Sequence, residues 1–200
     1  MCGITNPNDA QAASEAGASS IGIVAFESSP RFVPPSGLVA IRRALPPWVA
    51  ITVVAPDLDV ASRYDVDVYQ LYSMPDIKVT KPLIHAIRAN DSLDFDGILA
   101  NYGCADALLF DAYHPHLIGG SGHRIDDSVA HKLFSSACII PKILAGGLTP
   151  ENVTSAVRLF RPWGVDVSSG IESSPGTKCH IKMKAFAHAV SQAYVSSQED

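Results

Sequence analysis

The sequence predicts an α/β fold, a near-minimal (β/α)8 TIM barrel. Three observations predict it. Short apolar, β-rich runs recur along the whole chain, with helical or turn segments between them. Most of these runs are apolar throughout, as parallel strands covered on both faces are. Counting a very short run at the start, there are about eight, and eight strands alternating with helices close into a barrel. A doubly wound open sheet is the competing arrangement. It usually carries a Gly-rich turn after its first strand, and no GxGxxG occurs here.

The first candidate strand is a stub at residues 1–3. A helix follows: Asn6 is placed to cap it, Pro7 takes the first helical position, Ala10, Ala13 and Ala16 keep helical spacing, and Gly17 closes it. Residues 20–26 and 48–55 read as strands, with a helix over 36–45 between them. The next strands are 66–72, 82–87 and 105–110. Only residues 57–65 and 74–81 are left for the third and fourth helices, which predicts that both are shortened. Residues 139–145 form the next strand. A helix is expected from Thr149 and Pro150, with Val153, Ala156, Val157 and Phe160 on one stripe and Pro162 and Gly164 ending it. The last strand is 165–168 and the last helix 181–195. One domain over residues 1–195, with a polar tail at 196–200, accounts for the chain. Its 200 residues spread over eight units make the barrel small, since such barrels typically take about 250.

Composition narrows the partners. A chain 47% hydrophobic and 18% charged is globular, not disordered. A net charge of −5 leaves no basic face for nucleic acid. No run reaches the roughly 18 apolar residues of a membrane span, and the N-terminus has no secretory pattern. Cys2, Cys104, Cys138 and Cys179 show no zinc spacing, so the expectation is reduced thiols in a cytoplasmic protein and no metal. His114-Pro-His116 lacks a third ligand at sensible spacing.

Three strand ends carry reactive or ligand-handling side chains: Cys2, Asp111, and the pair of loops Gly146-Gly147 and Asp166 to Gly170. The carboxyl ends of barrel strands form the active face, and a phosphate commonly sits in the last two loops. Gly146 and Gly147 alone are equally a plain tight turn. Together with Ser168, Ser169 and Gly170 they favour phosphate, with the helix start at Thr149 aiming free N–H groups at the anion.

Specific motifs then appear in order: Cys2-Gly-Ile-Thr5, Phe26-Glu-Ser-Ser-Pro-Arg31-Phe-Val33, Gly119-Gly-Ser-Gly122, Leu144-Ala-Gly-Gly-Leu-Thr-Pro-Glu-Asn152 and Val165-Asp-Val-Ser-Ser-Gly-Ile-Glu-Ser-Ser-Pro-Gly176. In this order the chain resembles the phosphoribosylanthranilate isomerase family from residue 2 to about 190. The resemblance implies an enzyme of tryptophan biosynthesis, isomerising N-(5-phosphoribosyl)anthranilate by an Amadori rearrangement without metal or organic cofactor. It implies Cys2 as general base and Asp111 as general acid, and Arg31 as the grip on the anthranilate part. It places the phosphate on Gly146, Gly147, Ser168, Ser169 and Gly170, with Asp166 in the same substrate-binding strand end. The partner is a small sugar phosphate, the working unit a monomer or homodimer. The positive ends of nearby helices are expected to favour the Cys2 thiolate.

The chain departs from the family in four places. The family carries several residues, a Lys among them, ahead of its Cys, where this chain has Met1 alone; an upstream native start would supply them. That stub predicts unpaired edges on the second and eighth strands. Gln70-Leu-Tyr-Ser73 stands for Gln-Leu-His-Gly, the two helices are short, and Gly176-Thr-Lys-Cys179 stands for Gly-x-Lys-Asp. Because of these losses, a relative that binds a sugar phosphate without turnover is the second reading. A related isomerase of a histidine-pathway ribonucleotide is the third, and Cys2 argues against it, since that chemistry usually runs on two aspartates.

Overall fold

The protein is described by a computed structural model over residues 1–89, 94, 97–98, 102–112, 134–135 and 139–196. Seven parallel strands follow one another in sequence order: β1 (Ser20–Val24), β2 (Ala50–Ala55), β3 (Val68–Leu71), β4 (Leu83–Ala89), β5 (Ala107–Ala112), β6 (Lys142–Leu144) and β7 (Gly164–Val165). The sheet curls, and residues 1–4 take the eighth place. Cys2 N–H donates to the Val167 carbonyl at 2.8 Å on one side. On the other, Gly22 N–H donates to the Met1 carbonyl at 2.9 Å and Ile4 N–H to the Gly22 carbonyl at 3.0 Å. The stub therefore bridges the two edges expected to be unpaired, through Ser20 and Gly22 of β1 and through Val167 just beyond β7. Below Met1 the seam stays open as a wide apolar cavity between β1, β7 and the last helix.

Alternation sorts the strand residues into two layers. Ile21, Ile23, Ile51, Val53, Leu71, Leu108 and Phe110 are buried toward the helices. Ala86, Leu109 and Ala145 form a separate cluster inside the barrel, with Ile84, Tyr72 and Ile143 against it. Asp111 lies two residues beyond Leu109, so the same alternation turns it inward at the carboxyl end of β5.

The helices described over their whole length are α1 (Pro7–Glu15), α2 (Leu38–Arg43), α3 (Leu58–Ala61), α4 (Val153–Phe160) and α5 (His180–Ser196). Asn6 caps α1 through a 2.9 Å bond from Asp9 N–H to its Oδ1. The short α3 is a single turn capped by Asp57, as the sequence spacing predicts, whereas residues 72–82, expected to hold a shortened fourth helix, form bends with no helix. The helix expected from Thr149 begins only at Val153. Asn152 is the cause: its Oδ1 accepts from Thr149 N–H at 2.8 Å and its Nδ2 donates to the Gly147 carbonyl at 2.9 Å. These bonds fold residues 149–152 into a turn before the helix winds. At its other end α4 stops at Arg161, in the left-handed region at φ 46°, ahead of Pro162.

A two-stranded antiparallel hairpin, β8 (Glu172–Ser174) and β9 (Thr177–Lys178), lies between the barrel and α5. Its turn carries Pro175 followed by Gly176 at φ 82°, the pattern of a type II turn. Among the described residues no helix is long and apolar enough to cross a membrane.

Candidate active site

A cavity with about 610 Å3 of empty space, part of it open to solvent, sits at the carboxyl ends of the strands. Cys2, Arg31, Asp111, Gly146, Gly147, Asp166, Ser168 and Ser169 all line it. The seam cavity at the opposite end is larger. Converging charged and hydrogen-bonding groups mark the upper one as the candidate site, since a binding pocket needs a few placed polar groups more than it needs volume.

Gly170, grouped with these residues by the sequence, does not line the cavity. A Cβ there would lie 1.9 Å from the Leu148 carbonyl oxygen. Gly170 is a packing position that lets the loop after β7 press against the loop after β6. The N–H of Thr149, expected to face an anion, is already held by Asn152. The consecutive positive φ values of Gly146 and Gly147, 86° and 64°, shape the loop instead. Ser168 Oγ is buried with no hydrogen-bond partner among the described residues.

Cys2 sits at the top of the stub. Burial pushes its thiol up to about 12, with Asp166 and Asp111 adding to the shift and Lys178 and the chain's first amine opposing it. This reverses the expected thiolate preference: helix ends do not dominate here, and desolvation with two carboxylates does. Asp111 is buried and pairs in register with Arg88 on β4. Asp166 Oδ1 lies 4.0 Å from the amine of Met1.

Arg31 is not an empty grip. Its Nε donates to Glu172 Oε1 at 2.8 Å and its Nη2 to Oε2 at 2.7 Å, so one edge of the guanidinium is taken. The other edge, through Nη1, is left for a ligand. Burial pushes the Glu172 carboxyl up, but the hydrogen bonds from Arg31 and Lys178 outweigh it and hold it below the usual carboxylate range. Phe26 and Tyr72 form the aromatic wall, edge to face, with ring centroids 5.8 Å apart. The Arg88 guanidinium lies 5.2 Å over the Tyr72 ring.

Sequence reasoning missed Glu172, Lys178 and Asn152 as parts of the site. All three stood inside quoted motifs, and the Pro175-Gly176 turn signal was enough to bring Lys178 back beside Glu172. His114, His116, the loop 119–123, Cys138 and the tail beyond Ser196 lie outside the described residues. Among the described residues no three His, Cys, Asp or Glu side chains gather as a metal site.

The model of the N-(5'-phosphoribosyl)anthranilate (PRA) isomerase family matches residues 1–189. The chain belongs to the PRA isomerase family. An N-(5'-phosphoribosyl)anthranilate isomerase of Neisseria meningitidis serogroup C is 38% identical over 93% of this chain and 92% of its own length. The crystal structure of the phosphoribosyl anthranilate isomerase of Thermus thermophilus superposes with a TM-score of 0.83, at 31% identity and 96% coverage of both chains. A further isomerase of the family, crystallised with reduced 1-(o-carboxyphenylamino)-1-deoxyribulose 5-phosphate, is 30% identical, with a TM-score of 0.77 and 96% coverage of both chains. The (β/α)8 barrel is thus the family's fold, and family membership favours an isomerase over a binder without turnover.

Proposed function

We propose that the chain isomerises N-(5'-phosphoribosyl)anthranilate to 1-(o-carboxyphenylamino)-1-deoxyribulose 5-phosphate, with Asp111 as general acid and Cys2 as general base. One observation carries this reading. A carboxyl group and a thiol line the same cavity as the Arg31 guanidinium and the two loops Gly146-Gly147 and Ser168-Ser169. A substrate with a carboxylate at one end and a phosphate at the other has its reacting carbons between those two ends.

The chemistry balances on these groups. Asp111 gives its proton to the ring oxygen as the C1–O bond breaks, and the nitrogen lone pair forms the C1 iminium. The C2 hydrogen is now acidic. Cys2, as thiolate, takes that proton, and the C–H electron pair forms C1=C2 while the iminium is neutralised. The enol at C2 then becomes the ketone: C1 takes a proton from the Cys2 thiol, which returns to thiolate, and the enol O–H proton restores the acid form of Asp111. Before substrate binds, burial and the Asp166 carboxylate keep Cys2 protonated, and its proton leaves to solvent when the thiolate forms. The iminium charge and Lys178 act in the other direction, so the thiolate is favoured when the cation is present. Each proton transfer by a placed group is worth about 10²–10⁴-fold.

The ligand is held by the free edge of Arg31 on the carboxylate, by Phe26 and Tyr72 along the aryl ring, and by the two loops on the phosphate. No cofactor takes part in this scheme. The described residues that line the cavity all come from one chain, which supports a monomer or a homodimer as the working unit. Three described cysteines are free thiols, which supports a cytoplasmic setting.

The test is a turnover assay with the purified chain, backed by rescue of a tryptophan auxotroph lacking the isomerase. Wild type is expected to rescue, and Cys2→Ala and Asp111→Asn are not. A folded wild type without turnover overturns the reading; rescue by both variants overturns the residue assignment.

A further inference from the structure

Behind Arg31 lies a buried three-residue cluster that this mechanism does not use. Glu172 Oε1 accepts from Arg31 Nε and from Lys178 Nζ, both at 2.8 Å, and Oε2 accepts from Arg31 Nη2 at 2.7 Å. Lys178 Nζ also donates to the Ser168 carbonyl at 3.0 Å. Side-chain exposure is 11% for Arg31, 4% for Glu172 and 0% for Lys178. Glu172 and Lys178 therefore join the Arg31 arm, proposed above to hold the substrate carboxylate, to the Ser168 loop, proposed above to hold the phosphate. The cluster also touches the backbone next to Cys2. A Cβ on Gly3 would lie 2.6 Å from Arg31 Cδ, 2.9 Å from Ser168 Oγ and 3.3 Å from Lys178 Nζ.

Two features separate this from an ordinary structural ion pair. The cluster holds two cations for one carboxylate, and a surplus buried cation is costly until an anion answers it. It also links the arm assigned above to the substrate carboxylate with the loop assigned above to the phosphate.

Resting on the function proposed above, we propose that Glu172 and Lys178 are positioning residues that fix the separation of the carboxylate and phosphate subsites, so that the site selects a substrate carrying both anions at one span. Glu172 aims Arg31 by occupying its Nε edge. Lys178 ties that same carboxylate to the phosphate loop and supplies the surplus charge.

The test uses three ligands on the full chain: inorganic phosphate for one end, anthranilate for the other, and the reduced product analogue for both. The variants are Glu172→Asp, which keeps the charge and withdraws it by one methylene, Lys178→Met, and Lys178→Arg. With Glu172→Asp, KM for the substrate and Kd for the double-ended analogue are expected to rise about tenfold. Each single-ended ligand should change by less than about threefold, because neither end depends on the span alone. Lys178→Met should weaken inorganic phosphate about tenfold, and Lys178→Arg should restore most of that loss. The effect should fall on KM and Kd more than on kcat. Variants that bind all three ligands as wild type does, while only their melting temperature falls, overturn the inference alone. A wild type that binds none of the three overturns the proposed function and this inference with it.

Discussion

Cys2 N–H and the Val167 carbonyl are joined by a 2.8 Å hydrogen bond, and that bond ties the first residues of the chain to its last barrel strand. The residue proposed as general base is thus also a closing link of the ring. Its backbone and its side chain have separate jobs, and substitution can divide them.

Cys2→Pro removes the N–H and leaves the Val167 carbonyl without its donor. Such a loss costs about 1–3 kcal/mol, and each kcal/mol lowers the melting temperature of a chain this size by about 2–4 °C. Cys2→Ala keeps the bond and removes only the thiol. Its activity should fall by about 10²–10⁴-fold, with a smaller thermal shift than that of Cys2→Pro. Thermal melts of the two variants check this. Equal melting temperatures would show that the Cys2–Val167 link contributes nothing.

The raised thiol predicts two pH effects. The profile of kcat/KM reports groups of the free enzyme, so it should show no break at 9.0, the ordinary thiol value. Stability should fall above 9.0 instead. Between 9.0 and about 12 the folded chain keeps the Cys2 proton and the unfolded chain releases it. The contribution is therefore full below 9.0 and lost as pH rises through about 12. Denaturant unfolding of wild type and Cys2→Ala across alkaline pH isolates this group. Parallel stability curves for the two would rule the shift out.

The barrel was legible because its strands are apolar on both faces and its helices carry caps at Asn6 and a stripe at Val153–Phe160. The side chains now lining the cavity were legible because they stand at strand ends, where alternation turns Asp111 and its neighbours inward. What the sequence hid was long-range pairing. Nothing local says that Arg31 meets Glu172 across 141 positions. The Cys2 thiol was misjudged for the same reason: its environment comes from Asp166, Asp111 and Lys178, none of them near it in the chain.

Asn152 holds the Gly147 loop by two bonds, so it should matter to phosphate binding without touching phosphate. In wild type, inorganic phosphate is expected to raise the melting temperature, by about 2.7 kcal/mol of added stability at one hundred times its Kd. Asn152→Ala frees Thr149 N–H and the Gly147 carbonyl, costs about 1–3 kcal/mol and should shrink the phosphate shift. Gly147→Asp forces a side chain onto a backbone at φ 64° and puts a negative charge in the loop, so it should abolish the shift. A full phosphate shift in Gly147→Asp would move the phosphate site elsewhere.

Gly170 gives the sharpest steric prediction. Its missing Cβ leaves room for the Leu148 carbonyl, which would lie 1.9 Å from an added carbon. Backbone cannot yield as a flexible side chain does, so Gly170→Ala must push the loop after β7 away from the loop after β6. Overpacking of this kind costs about 1–3 kcal/mol. The two loops carry opposite halves of the proposed phosphate site, so the displacement separates Ser168 and Ser169 from Gly146 and Gly147. Gly170→Ala should therefore lose stability and weaken inorganic phosphate together, while anthranilate, held at the other end of the cavity, binds as before. Titrating both ligands on one preparation of the variant decides it. Loss of both affinities would mean that the whole cavity has collapsed, and loss of neither would mean that the loops move as one body.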